Sequence, residues 1–346
     1  MIPEIRKKFN SEFSDQLYQE YLDDLNSVLK YPTDFRICET PLFLNRDLTS
    51  ELIKACDDIT EQIQKEDFLK RSEDAIPQHL KVPNNFEHPL FLQLDFAITK
   101  TDHKYIPKLI ELQAFPTLYG FQVYLSDTIK KHFDIPVGFN NYFSGLNKTT
   151  YRNLLTECII AKHDPVNVIL LEIEPERQKT RIDFAATEEL TGLTTVCLSK
   201  VKKRGKKLFY FRDGKEVEIK RIYNRVIFDE LERKNLEFEF NFKDEIDAEW
   251  AGHPNWFFKI SKFSLPQLTG NYVPECYYLN RLDKYPDNLN DFVLKPLFSF
   301  AGLGVEVDVT KEKLDTIENK DNYILQQKVE YAPLIDTPDG FSKVEI

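Results

Sequence analysis

The N-terminal part of the chain shows the spacing of amphipathic helices. Apolar residues recur every three to four positions over residues 12–30 and again over 50–70, which is the spacing of one helix face. In the second stretch this face carries Leu52, Cys56, Ile59 and Ile63. Thr49 or Ser50 precedes it and offers the hydroxyl oxygen that caps a helix N-terminus. The pattern therefore predicts an N-terminal helical extension.

A strand hairpin is predicted next. Residues 92–99 and 108–112 alternate between apolar and polar around a polar loop, which is typical of two paired strands. The hairpin brings Asp95 and Glu111 close together, and Gln113 shares the face of Glu111 because strand side chains repeat every two residues. Carboxylate and amide oxygens suit Mg²⁺ that arrives with a nucleotide. The alternative is a half-solvated sheet with ordinary polar residues outward.

The pattern changes after residue 150 to that of an α/β unit. A helix is predicted over 150–162, and a nearly continuous apolar run over 167–173 predicts a buried parallel strand. A second helix, ending at Gly192, leads to a strand over 194–199. Asp213-Gly214 then predicts the turn of a hairpin.

A lysine-bearing strand and two nearby glycines give the strongest candidate for chemistry. In residues 292–309, a strand delivers Lys295, a loop contains Gly302 and Gly304, and a second strand, VEVDV, is predicted to follow. Glycines expose backbone N–H groups to an anion, and the lysine adds a positive charge. The alternative is a hairpin whose glycines only form the turn. Further on, residues 323–333 predict a strand and a hinge that offers backbone groups to an adenine edge, or an ordinary edge strand.

Composition limits the classes of protein to consider. Because 346 residues are more than one average domain needs, we expect two or three packed units, and the aromatic content of 13% excludes a disordered polyelectrolyte. A net charge of -11 makes nucleic acid a poor partner. The five cysteines are spread out and form no C-x-x-C pair, which argues against a disulfide framework and a structural zinc site. Without a long apolar run or a signal-peptide pattern, we expect a cytoplasmic protein with no membrane partner.

Three stretches together resemble the ATP-grasp superfamily in its circularly permuted form, of the glutathionylspermidine-synthase-like or carboxylate–amine ligase type. VLKPLFSFAGLGV is similar to the lysine strand and glycine-rich loop that cover ATP phosphates in this superfamily, and YILQQKV is similar to its adenine hinge. DFAITKTDHKYIPKLIELQ is similar to its metal-binding stretch. This stretch precedes the lysine loop instead of following it, which a circular permutation would produce.

The resemblance implies an α+β, ATP-grasp-like fold that is circularly permuted, with a small α/β, pre-ATP-grasp-like domain. Residues 1–90 would form the helical extension, and 91–150 the ATP-grasp lobe with the Mg-binding hairpin. Residues 151–255 would form the α/β domain, and 256–346 the ATP-binding lobe. Family members commonly continue past the position of Ile346, so we expect this last lobe to be incomplete.

The resemblance also implies ATP and Mg²⁺ as cofactors, and it assigns roles to single residues. The phosphates would be neutralised by Lys262 and Lys295. The loop backbone over them would come from Ser299, Phe300, Ala301, Gly302 and Gly304. Adenine would contact Gln327, Lys328 and Val329. The metal ligands would be Asp95, Glu111 and Gln113. The catalytic residues would be Lys295, Glu111 and Arg225.

Arg225 is assigned to a substrate carboxylate, which a guanidinium binds bidentately; the alternative is a surface arginine. Two departures from the family pattern are Gln113, where an asparagine is usual, and Gln93, where an arginine is frequent. The implied reaction joins a small-molecule carboxylate to an amine through an acyl phosphate. The alternatives are a kinase that phosphorylates a hydroxyl and a nucleotide-binding scaffold without activity. The acid, the amine and the oligomeric state are not identified by the sequence.

Overall fold

The structure of the protein is a computed structural model that describes residues 2–101, 104–234, 236–299 and 302–346. Within these residues the helices are α1 (Pro3–Glu12), α2 (Asp15–Ser27), α3 (Arg46–Ile63), α4 (Glu66–Ser72), α5 (Phe121–His132), α6 (Lys148–Ile160), α7 (Arg181–Thr191), α8 (Phe228–Arg233), α9 (Trp256–Lys259) and α10 (Lys311–Thr316). None of these helices combines the length and the apolar character needed to cross a membrane.

The strands in the same residues fall into several small sheets, so the fold is mixed α/β. They are β1 (Gln93–Thr101), β2 (Lys104–Gln113), β3 (Val168–Glu172), β4 (Thr194–Cys197), β5 (Lys202–Arg204), β6 (Lys207–Arg212), β7 (Lys215–Ile219), β8 (Arg221–Asn224), β9 (Glu249–Ala251), β10 (Cys276–Tyr278), β11 (Phe292–Pro296), β12 (Tyr323–Gln327), β13 (Ile335–Thr337) and β14 (Gly340–Ser342).

The predicted α/β unit forms a parallel sheet with the strand order β4-β3-β8-β9. Every residue of β3 is buried, which explains its apolar sequence up to Glu172, because a central parallel strand is covered on both faces. Helix α7 connects β3 to β4 and ends at Gly192, whose φ of 77° is the left-handed conformation that glycine adopts without strain. The strand–helix–strand prediction is confirmed, as is the hairpin turn at Asp213-Gly214 between β6 and β7.

Two antiparallel groups, one from before the parallel sheet in the sequence and one from after it, carry the candidate site residues. Strands β10, β12 and β11 form a three-stranded sheet, and β1 pairs with β2 as the predicted hairpin. The side chain of Gln326 on β12 donates a hydrogen bond of 3.2 Å to the carbonyl of Leu109 on β2. Ile346 forms two backbone hydrogen bonds with Phe96 on β1, of 2.7 and 2.9 Å. The hairpin is therefore in contact with both the three-stranded sheet and the C-terminal segment.

The helix predicted over 12–30 is present as α2, which begins at Asp15 because Ser14 adopts an extended conformation and caps it. Helix α1 lies before this stretch and was not predicted. The start predicted for the second helix needs correction. Helix α3 begins earlier than predicted, because its N-cap is Asn45 and not Thr49 or Ser50. An asparagine side chain caps a helix as well as a hydroxyl does, so the apolar pattern alone placed the start too late.

The strand predicted for VEVDV, residues 305–309, is wrong. This segment makes a single bridge to β11, through the backbones of Glu306 and Leu294. One edge of β11 is already paired with β12, and the segment leaves the other edge after that bridge, with Val307 55% exposed. Alternating polarity did not lead to a strand because few of the apolar side chains find a buried face.

The apolar face of α3 packs into the largest hydrophobic cluster, where Leu52 and Ile59 join Phe96 and Leu109 of the hairpin. Helices α1 and α2 contribute instead to a second cluster, together with α5. The predicted helical extension is thus shared between two cores. The domain boundaries given above stay a prediction.

Candidate active site

The hairpin β1–β2 positions the acidic residues of the candidate site. Its register places Asp95 directly opposite Glu111, and Gln93 opposite Gln113, so that all four side chains lie on one face. The Gln93 amide donates a hydrogen bond of 3.0 Å to the Asp95 carboxylate. A register shift follows directly after Asp95. The predicted pairing of the two carboxylates is therefore present.

Lys262 reaches this hairpin from a short 3-10 helix. Ser261 caps the helix with a reciprocal pair of hydrogen bonds, which fixes the position of the next residue, and Lys262 is 4% exposed. Its ammonium donates to Glu111 Oε1 at 2.7 Å and to the carbonyl of Ser299 at 2.6 Å. Lys262 thus links the acidic hairpin to the loop after β11, although Lys262 and Glu111 are 151 positions apart in sequence.

Lys295 enters the same cleft from β11. It is 8% exposed, and its ammonium donates a hydrogen bond of 3.1 Å to the carbonyl of Ile110, the residue before Glu111. Burial lowers the pKa of Lys295, which the Glu111 carboxylate opposes and the Lys262 ammonium reinforces. The structure therefore brings the two lysines and Glu111 together on one side of the molecule.

A third carboxylate, Glu345, was not predicted from the sequence. The backbone of Glu345 bridges to that of Ala97 on β1, and the Tyr331 hydroxyl donates to its carboxylate. Burial raises the pKa of Asp95, and the charges of Glu111 and Glu345 raise it further. The only sequence signal was the alternation in FSKVEI, which gave no indication of the partner strand.

Within the described residues, His, Cys, Asp and Glu side chains form no group of three or more that would hold a metal ion by themselves. Mg²⁺, however, is commonly bound by one or two carboxylates together with substrate phosphates. The opposed pair Asp95 and Glu111 fits that kind of site, and the amide oxygen of Gln113 lies on the same face.

The described part of the loop after β11 borders the site through Phe298 and Ser299. Gly302 and Gly304 have φ angles of 71° and 74°, which non-glycine residues rarely adopt. Phe300 and Ala301, two of the predicted phosphate-contacting residues, lie outside the described residues. The cavity between Glu111, Lys262 and Ser299 measures only about 10 Å³, which is too small for a phosphate group.

The residues of the predicted hinge line a larger cavity, at the end of β12 away from this loop. Gln327, Lys328 and Val329 border a space of about 500 Å³, together with Lys100 and Lys108. The backbone N–H groups of Gln327 and Lys328 donate to carbonyls of the chain, each at 2.7 Å. The Val329 N–H forms no hydrogen bond within the described part of the chain. The hinge therefore presents a backbone donor next to a cavity large enough for a nucleoside.

Arg225 follows β8 and lies in a different environment. It is 4% exposed, so the alternative of a surface arginine is wrong. Its guanidinium donates to the Asp183 carboxylate at 2.7 Å and to the Thr117 carbonyl at 2.8 Å. It also lies over the ring of Phe184 at 5.1 Å. The Nε of Arg225 is buried and has no hydrogen-bond partner among the described residues, so one donor is left for another group. Its assignment to a substrate carboxylate stays a prediction.

Comparison with known proteins supports the fold. At the level of sequence, no protein-family model and no curated protein matches the chain. The chain is similar to a solved structure, the apo form of a glutathione synthetase-like effector (GSS30) from Globodera pallida, with a TM-score of 0.56 and 13% sequence identity. The match covers 93% of this chain and 84% of that chain. At this identity the similarity shows the fold alone, which is a mixed α/β fold of the glutathione-synthetase-like kind.

Proposed function

We propose that this protein binds Mg-ATP between the β1–β2 hairpin and the β10–β12–β11 sheet, as a circularly permuted ATP-grasp protein. We further propose that it is an ATP-dependent carboxylate–amine ligase. The observation that carries the proposal is the convergence of Lys262, Lys295 and Glu111, which come from distant parts of the sequence. Two buried ammonium groups beside an acidic hairpin suit a triphosphate and its metal. The glutathione-synthetase-like fold supports the same function.

The nucleotide would extend from the hinge cavity to the lysines. Adenine would occupy the cavity beside Val329, whose N–H is available to a ring nitrogen. The phosphates would lie between Lys295 and Lys262. Because Lys262 bonds both Glu111 and Ser299 in this structure, the loop must move away before the phosphates can enter.

Asp95, Glu111 and Gln113 are the residues that would hold Mg²⁺ together with the phosphates. The metal would supply charge neutralisation for phosphoryl transfer. Lys262, released from Glu111, would then be free to contact a phosphate oxygen. When the nucleotide binds, Glu111 would therefore exchange its contact with Lys262 for one with Mg²⁺, and Lys262 would exchange its contact with Glu111 for one with a phosphate.

The proposed reaction has two steps. A substrate carboxylate oxygen attacks the γ-phosphorus of ATP, the bond to ADP breaks, and an acyl phosphate forms. An amine nitrogen then attacks the acyl carbon, phosphate leaves, and the nitrogen loses a proton to give the amide. The free Nε–H of Arg225 would help to hold the substrate carboxylate. The lysines would stabilise the charge that develops on the phosphates.

The nucleotide-binding part can be tested by calorimetry with Mg-ATP. The Lys295→Ala variant should bind at least about tenfold more weakly than the wild type, because it loses a charged contact to phosphate. Lys284→Ala is the matched control, since Lys284 is 81% exposed in the same lobe. Equal affinity for all three proteins would contradict the proposal.

The reaction class can be tested by adding hydroxylamine during turnover with mixtures of candidate acids. A ligase yields a hydroxamate, because hydroxylamine intercepts the acyl phosphate. ADP formation on a hydroxyl substrate without a hydroxamate would indicate the kinase alternative. Binding of Mg-ATP without hydrolysis in any mixture would indicate the scaffold alternative.

A further inference from the structure

A second cavity lies beside the loop after β11, apart from the hinge cavity. It measures about 360 Å³, and its wall includes Phe298, Ser299 and Gly304 of the loop. Phe298 and Ser299 also border the small space around Glu111 and Lys262. The loop therefore forms a shared wall between this cavity and the site proposed for the phosphates.

The entrance of this cavity is acidic. Asp229 and Glu232, on α8, line it, and their side chains are 48% and 53% exposed. One oxygen of each carboxylate is paired: Glu232 Oε1 with His79 at 3.0 Å, and Asp229 Oδ2 with Arg233 at 2.9 Å. The second oxygen of each has no hydrogen-bond partner among the described residues. Both carboxylates can therefore accept from a ligand without breaking an existing contact.

The floor of the cavity is aromatic. Phe228, Phe257 and Phe258 line it with Phe298, and the ring of Phe258 lies at 5.4 Å from that of Phe228 and at 5.2 Å from that of Phe298. An apolar floor below an acidic rim favours a ligand with an alkyl part and a positive charge. A ligand carrying its own carboxylate would be repelled at the rim.

We infer that this cavity binds the amine co-substrate as an alkylammonium ion, with its charge at Asp229 and Glu232 and its chain against the phenylalanines. As a co-substrate site, it rests on the ligase function proposed above. The shared wall formed by Phe298 and Ser299 explains how an amine held here would lie beside the place where the acyl phosphate forms. The acidic rim selects an amine without a carboxylate over an amino acid.

The inference is tested by ligand-observed NMR titration of the full chain with n-butylamine at neutral pH, without nucleotide. The wild type should bind n-butylammonium, and 1-pentanol, a neutral molecule of similar shape, should bind at least about fivefold more weakly. The affinity of the Asp229→Asn, Glu232→Gln double variant for n-butylammonium should be lower than that of the wild type by a similar factor. Asp57→Asn with Asp58→Asn is the matched control, because both residues are exposed on α3 and the charge change is equal. Circular dichroism confirms that each variant folds.

The inference is overturned if n-butylamine fails to bind, or if both double variants bind it equally. Calorimetry with Mg-ATP decides the underlying function separately, because the amine titration uses no nucleotide. Normal Mg-ATP binding with no amine binding would leave the ligase proposal intact and remove the amine site. Charge-dependent amine binding in a protein that does not bind Mg-ATP would uphold the amine site and overturn the ligase proposal.

Discussion

Buried charge is arranged differently in the parallel sheet and in the cleft of the candidate active site. Beside the sheet, Arg225 and Asp183 form an ion pair of 2.7 Å, and the Asp183 carboxylate also accepts from the Phe121 N–H at 2.9 Å. In the cleft, the hydrogen bond found for Lys295 among the described residues goes to a backbone carbonyl. The carboxylates that act on Lys295 influence it through space.

This difference separates a structural role from a functional one. A buried ion pair with matched hydrogen bonds holds two segments in a single arrangement, and removal of one partner leaves an uncompensated charge. A buried lysine without a direct carboxylate partner is poorly stabilised until a ligand supplies negative charge, and such groups cluster at functional sites. We therefore expect removal of the Asp183 carboxylate to affect mainly folding, and removal of the Lys295 ammonium to affect mainly binding.

The largest expected effect is on stability in the sheet region. Asp183→Asn should lower the free energy of unfolding by about 3–5 kcal/mol, because it leaves the Arg225 charge buried and unpaired. Lys295→Met should change it by less than about 1 kcal/mol, because it replaces a desolvated cation with an apolar side chain of similar length. Urea denaturation of both variants measures the contrast. Equal losses would show that the two regions do not differ as we describe.

Glu172 tests whether another buried carboxyl group in the region of the parallel sheet is held as an ion, as Asp183 is in its ion pair with Arg225, or keeps its proton. Burial raises the pKa of Glu172 from 4.5 to about 8, and its carboxylate accepts from the Ile173 N–H at 2.7 Å. The folded state therefore keeps a proton that the unfolded state releases between these pH values. This contribution to stability is complete below about pH 4.5 and is lost as the pH rises toward 8, by at most about 1.4 kcal/mol per pH unit.

Glu172→Gln should remove this slope and make the protein more stable than the wild type at pH 8. Urea denaturation at a series of pH values between 5 and 8 measures the slope for both proteins. Glu66→Gln is the control, because Glu66 is exposed on α4. If the wild type and Glu172→Gln have the same slope, Glu172 is already ionised in the folded protein.

In the cleft, the comparison predicts a pH effect on binding. Since burial lowers the pKa of Lys295, its ammonium loses a proton at a lower pH than an exposed lysine does. Mg-ATP affinity should therefore fall by about tenfold as the pH rises through this lowered pKa, and Lys295→Arg, which keeps its charge, should reduce the fall. Calorimetry across the alkaline range measures both. Identical pH profiles for the two proteins would remove Lys295 from the phosphate site.

Local patterns in the sequence predicted the parts of the site that depend on neighbouring residues. Strand alternation gave the pairing of Asp95 with Glu111, because the side-chain period of two and a short connecting loop determine which positions face each other. The position of Lys295 on a strand followed from its apolar neighbours. Gly192 predicted the end of α7 because few other residues adopt its conformation freely.

Contacts between distant segments were not predictable in the same way. Asp183 had the pattern of an ordinary acidic residue in the first turn of a helix, and nothing in its local sequence indicated that Arg225 would be its partner. Glu345 joined the acidic cluster through a backbone bridge to β1, which side-chain periodicity does not encode. The sequence pattern gives the faces of each element, whereas the packing of the elements decides which charges meet.

The smallest effect we predict separates two glycines that the sequence pattern treats alike. Gly302→Ala and Gly304→Ala both place a side chain at a positive φ, which costs about 1 kcal/mol. A Cβ at Gly304 would also lie 2.9 Å from Cγ of Pro296, whereas a Cβ at Gly302 meets nothing within 4 Å. Gly304→Ala should therefore shift the loop beside Lys295 and weaken Mg-ATP binding more than Gly302→Ala does, as calorimetry would show. Equal effects would mean that the loop moves freely over Pro296 and takes no fixed position at the phosphate site.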